Sequence, residues 1–172
     1  MFVIVDGPPP DDPVFPVFLE TSVGGKSDDE LLSELPPETY YIHPVVREYF
    51  TSQKKRAEKK FSETVAFAWA RVRDLDYYRD LPPFYAEVWA RIRSLGHSLC
   101  EPSDALVLRR EIIQPLCDKT FLAMDSVVRK GGIHHIYYLS QYYESAILGA
   151  RFFRPSHKIP LDTRIIFRLK RS

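Results

Sequence analysis

Ala66-Phe67-Ala68-Trp69-Ala70-Arg71-Val72-Arg73-Asp74-Leu75 recurs twenty positions later as Ala86-Glu87-Val88-Trp89-Ala90-Arg91-Ile92-Arg93-Ser94-Leu95. The two tryptophans of the chain occupy equivalent places in the two copies. Read at 3.6 residues per turn, Trp, the Val or Ile three on and the Leu six on form one stripe. Both arginines can lay their stems beside that stripe with their heads in water. The repeat therefore predicts two like-faced helices that bury aromatic anchors, and with them a mainly α fold. The expected architecture is an irregular bundle of about four helices with extended N- and C-terminal arms, leaving room for a small β pairing of the termini. Two copies fall short of the roughly three that a solenoid needs.

Outward from the repeat, the helix signals continue. Ser27-Asp28-Asp29-Glu30 reads as a capping box that opens a short helix through Leu35, stopped by Pro36-Pro37. Pro44 suits the first turn of a long helix, and no proline follows between Val45 and Leu81. Gly96 is placed to end the second copy as a C-cap. Pro102-Ser103-Asp104 starts a third helix, which Pro115 should kink or split near Ile113 and Gly131-Gly132 ends. A fourth is expected from Ile133 to about Leu148, carrying Tyr137, Tyr138, Tyr142 and Tyr143, with Gly149 as its cap. Three regions follow: an acidic, Pro-rich arm with one short helix (1–43), a helical body (44–150) and a basic extended tail (151–172).

The 172 residues fit one domain with a real core, and 45% apolar with 27% charged residues is ordinary for a globular protein. The net charge of +1 hides a division. Residues 1–40 hold nine acids against Lys26 alone, a local charge of −8 that leaves +9 for the remainder. The last 22 residues hold seven bases against Asp162. Such ends attract each other or a partner of opposite charge. No basic start or Arg-rich transit helix is visible, and no apolar run nears the roughly 20 residues that span a bilayer. Cys100 and Cys117 form no disulfide framework and read as reduced, buried thiols. An intracellular protein is expected, cytoplasmic or organellar (the mitochondrion included), not secreted.

Chemical motifs are thin. Gly24-Gly25-Lys26-Ser27 ends like a phosphate-binding loop, but Glu20 stands where that loop needs Gly, so a turn followed by an N-cap is the reading. His97, Cys100, Cys117 and either His134 or His135 could supply a zinc site, without the tight paired-ligand spacing of ordinary ones. His97 and Cys100 could form a nucleophile pair oriented by Glu101 or Asp104. Neither is preferred, so no catalytic residue, cofactor or metal is expected.

The leading expectation is a non-enzymatic accessory subunit of a multi-subunit assembly. It anchors neighbouring protein subunits through apolar arms and aromatic helix faces: Phe15, Phe18, Tyr138, Tyr142, Phe152, Phe153, Ile165 and Phe167. Ile165, Phe167 and Leu169 would share one face of a strand, with Phe2–Val5 as a candidate partner. In general style these features resemble small supernumerary subunits of organellar respiratory complexes or ribosomes, a resemblance that assigns no residue roles. The alternative is a nucleic-acid (RNA) backbone-binding component using Lys54, Lys55, Arg56, Lys59, Lys60, Arg168, Lys170 and Arg171. A zinc protein or His/Cys enzyme is the third class.

Overall fold

Strands, not helices, dominate the computed structural model, which describes residues 12–52, 61–75, 81–112 and 118–170. Among the described residues there are eight strands and four α-helices: β1 (Leu19–Val23), α1 (Asp28–Ser33), β2 (Tyr40–Ile42), α2 (Pro44–Ser52), β3 (Glu63–Arg71), α3 (Tyr85–Ser94), α4 (Asp104–Glu111), β4 (Thr120–Leu122), β5 (Val127–Arg129), β6 (Ile133–Tyr142), β7 (Ser145–Phe152) and β8 (Arg164–Leu169). They build one mixed sheet in the order β1-β3-β8-β4-β6-β7-β2, with β5 beside β6. The expected helical bundle is thereby corrected.

The correction starts at the repeat. Its second copy is helix α3, where Glu87 accepts the Phe84 N–H at 2.8 Å and Gly96 ends the helix with φ +84°. Its first copy is strand β3. There Ala66, Ala68 and Ala70 alternate with Phe67 and Trp69, a period of two that puts small residues on one face and large ones on the other. β-Branched Thr64 and Val65 lead into it, whereas Phe84 and Tyr85 with the Glu87 cap lead into α3. The expected long helix from Pro44 is described over Pro44–Ser52 and does not continue through Glu63–Arg71, which are strand.

The remaining helix expectations shorten or change type. The third reaches only Glu111, and Thr120–Leu122 and Val127–Arg129 are strands; Gly131-Gly132 turns β5 into β6, with φ +94° and +76°. The fourth is the β6–β7 hairpin, whose Tyr142↔Ser145 pair closes a two-residue loop. Tyr143 in that loop takes φ +51°. Gly149, expected as a helix cap, lies mid-strand opposite Tyr138, where an added Cβ would sit 2.2 Å from Tyr138 Cζ. The ring needs the bare glycine beneath it. The capping box at Ser27 and Glu30 is present, and Lys26 pairs with Glu34 rather than facing a phosphate-binding loop.

The chain ends also differ from free arms. β8, within the expected basic tail, is an interior strand, antiparallel to β3 and parallel to β4. β1, within the expected acidic arm, is the strand edging β3. Both terminal regions join the sheet, but through β3 and not with each other; Phe2–Val5 lie outside the described residues.

Register sets two faces. Tyr137, Leu139, Leu148 and Ile42 share one with Leu122 and Ile166. Tyr49 and Phe50 of α2 pack on Tyr137 there, α4 lies against β6 and β7, and α1 touches both helices. On the other face Phe15 and His97 pack their rings on Phe167 at 5.2 and 5.4 Å. Alternate side chains of inner strands are thus buried on both sides.

Arg109 of α4 is 1% exposed. Its Nη1 donates to the Ser140 and Ile147 carbonyls at 2.8 and 3.0 Å, and its Nη2 to that of Ile112 at 2.9 Å. Ser140 and Ile147 are cross-strand partners, so one guanidinium clips α4 to the hairpin. Arg109→Ala is expected to cost about 3–5 kcal/mol in urea denaturation, through orphaned carbonyls and a cavity. Arg109→Lys, with a point charge in place of a fork, is expected to fall between.

Candidate functional site

Two places gather side chains that chemistry could use. The first is the end of the sheet where β8 leaves β3. Arg168 pairs with Phe67 in β3 on one side, and on the other exchanges two backbone hydrogen bonds of 3.0 Å with Ser98. Its Nε and Nη2 donate to the two carboxylate oxygens of Asp104, each at 2.7 Å. Asp104 stands at the start of α4, where a negative charge suits the helix dipole, and it also accepts the Glu101 N–H at 2.8 Å. Glu63 and Glu101 lie 3.5 Å from the same guanidinium. Burial alone would depress the Arg168 pKa, but the hydrogen bonds and charge of Asp104 outweigh it and hold the guanidinium above its ordinary value. Burial pushes the Asp104 carboxyl up, against the pull of Arg168.

An open groove of about 740 Å³ runs past this pair, lined by Glu20, Thr64, Ser98, Glu101, Arg168 and Lys170 among others. Asp104 is 1% exposed, so the pair closes the groove floor as a brace. It locks residues 98–104 to the sheet. Arg168, expected to meet phosphates, is committed to carboxylates.

His97 and Cys100 border the same end and do not form a nucleophile pair. His97 Nδ1 accepts the Lys170 N–H at 3.3 Å, its ring lies on Phe15 and Phe167, and burial lowers its pKa. The Cys100 thiol donates to the Ile166 carbonyl at 3.5 Å. Burial, first of all, pushes that thiol well above its ordinary pKa, so it stays protonated. Among the described residues no group of three His, Cys, Asp or Glu is placed to hold a metal ion. Cys117 lies outside the described residues, as do Lys54, Lys55, Arg56, Lys59, Lys60 and Arg171. No described helix is long and apolar enough to cross a membrane.

The second place is the outer part of β3. Trp69 is 40% exposed there. Phe18 meets it edge-on at 6.3 Å, and the Arg164 guanidinium lies 5.2 Å from its ring centre. Arg71, cross-strand from Arg164, and Arg73 continue the corner, bridged to Asp162 at 3.8 and 2.6 Å. Those bridges are exposed and hold the arginines loosely. Trp69 was legible only as one of two equivalent anchors. Its twin Trp89 is buried, donating to the Met124 carbonyl at 3.0 Å. The alternation of small and large residues was the signal that separates them.

The eight residues expected at partner surfaces divide. Ile165, Phe167 and Phe153 belong to the chain's own core, and Phe15 packs partly buried against it. Tyr138 is half-buried over Gly149. Phe18, Tyr142 and Phe152 remain at the surface. Tyr142 stands at the hairpin tip with Tyr143, their ring centres 4.5 Å apart. Phe152 lies beside the Arg154 guanidinium at 5.1 Å.

Two outcomes follow from the braced end. Asp104→Asn strips the charge that compensates buried Arg168 and is expected to destabilise by about 3–5 kcal/mol in chemical denaturation. In site-resolved alkylation mass spectrometry, Cys100 is expected to stay unmodified in the native protein and to react once the chain is unfolded. Compared with models of protein families, with curated proteins and with solved structures, the chain matches none.

Proposed function

We propose that this protein is a non-enzymatic accessory subunit that docks onto a partner protein through the Trp69 corner. One observation carries the reading: a tryptophan stands two-fifths exposed on β3, past the end of its pairing with β1 and flanked by Phe18 and Arg164, while its sequence twin is buried. Tryptophan and arginine are the residues most enriched where protein interfaces concentrate their binding energy. A ring held edge-on by Phe18 and faced by a guanidinium loses little freedom on docking.

This basis replaces the one that the amino-acid sequence offered. The basic tail supplies the interior strand β8, and the apolar stretch before β1 seats Phe15 on the chain's own core. Neither is a strap for a neighbour. The polar side chains at the sheet end favour the same reading: Asp104 and Arg168 pair with each other, Cys100 donates to the Ile166 carbonyl and His97 accepts the Lys170 N–H. The exposed aromatic pair at the β6–β7 tip offers a second contact.

The test compares tagged wild-type and Trp69→Ser chains purified from the native source, with quantitative mass spectrometry of what accompanies them. The substitution is expected to cost about 1 kcal/mol of stability and to deplete a defined protein partner by tenfold or so. Arg164→Glu should deplete the same partner. Equal recovery in all three preparations, with folded proteins throughout, overturns the proposal. Recovery of nucleic acid in place of protein, lost at high salt, would point to the ribonucleoprotein class instead.

A further inference from the structure

Helix α2 is fastened at its start by an imidazole. His43 Nδ1 accepts the Val45 N–H at 3.2 Å, one of the donors that a helix start leaves unpaired. The His43 carbonyl accepts from Val46 and Arg47, so the residue serves as the cap. Only an unprotonated Nδ1 can accept. Protonation turns that lone pair into an N–H facing another N–H, and adds positive charge at the positive end of the helix dipole.

A second imidazole lies on the sheet face that α2 covers. His135 of β6 is two residues before Tyr137, on which Tyr49 and Phe50 pack. Its Nδ1 is buried with no hydrogen-bond partner. The charged or chargeable groups that act on it come from three elements: Arg129 of β5, His134 of its own strand and His43 at the entry to α2. The nearby acid on α2 is Glu48, bound to Arg129 at 2.9 Å. His134 shares a 2.7 Å hydrogen bond with Ser126. A proton added to this group is buried and meets the positive charge of Arg129.

We propose that His43 and His135 form an acid-sensitive latch: neutral, they hold α2 on the sheet, and protonated, they release it. The latch is independent of the docking reading at Trp69. Burial first, then Arg129 and His43, hold the His135 pKa below the ordinary imidazole value. The released state therefore binds the proton more readily. The contribution of His135 is full above about pH 6.5, the ordinary imidazole value, and is lost as pH falls through its depressed one. Release would uncover Val46 and Phe50 on the helix and Tyr137 on the sheet.

Hydrogen exchange of the full chain at about pH 7.5 and about pH 5.5, corrected for intrinsic rates, tests the latch. Protection across 44–52 is expected to fall by roughly tenfold or more at the lower pH, while protection across 164–169 changes by less than about twofold. A His43→Asn, His135→Gln double variant should keep α2 protected at both, since Asn caps without titrating. The proposal is overturned if acid leaves 44–52 unchanged, if 164–169 loses protection in step, or if the double variant loses as much as wild type. Should that variant fail to fold, the wild-type midpoint decides. Loss that tracks the NMR titration of His135 supports the latch, and loss in the carboxylate range near pH 4 overturns it.

Discussion

Everything in this fold hangs on the pairing of β8. Residues 164–169 lie antiparallel to β3 and parallel to β4, and among the described residues no other strand bridges those two. On one side stand β1 and β3, on the other β4 with the β6–β7 hairpin, β5 and β2. A strand buried on both faces must be apolar without interruption, as Ile165-Ile166-Phe167 is. Its one charge in the interior, Arg168, is admissible because Asp104 meets it with two 2.7 Å hydrogen bonds. The ion pair, Cys100 and His97 all serve that junction. Asp104, Arg168 and Cys100 each tie the segment 98–104 to β8.

The tandem motif shows how little a ten-residue similarity fixes. Ala-x-x-Trp-Ala-Arg-[Val/Ile]-Arg is a strand in one copy and a helix in the other. Alanine favours helices in isolation, and its weight in 66–70 pulls the reading that way. In the folded chain those same alanines are the small side of a sheet, where Ala68 faces Phe167 and Ala70 faces Ile165 across the ladder. Long-range pairing outweighs propensity because β3 is held along 63–67 by β1 and along 66–71 by β8, with Ala66 and Phe67 paired on both flanks.

Local punctuation was legible and long-range pairing was not. The Ser27–Glu30 box, the Gly96 stop and the start of α4 are decided within a few residues, and each is where its sequence puts it. The tyrosine-rich stretch 133–148 carried a fair warning in its β-favouring Ile, Tyr and His. Its Gly149 was read by position alone, although a glycine opposite a tyrosine is equally a mark of a strand with a ring lying across it. The exposed corner is legible only once the small–large alternation of 66–70 is weighed above its helical stripe, because that alternation is what sets Trp69 apart from Trp89. The basic tail was recognised as strand-forming through its alternation, but nothing local tells an edge from a centre.

The seam has a temporal side. As a chain emerges from a ribosome, the hairpin, α4 and the β1–β3 pair are available before the residues that tie them together. Until 164–169 has cleared the exit tunnel, the nascent protein presents two half-sheets with raw edges of strand β3 and strand β4. β8 is made after both halves that it joins, so those edges stay open to misassociation until it is in place.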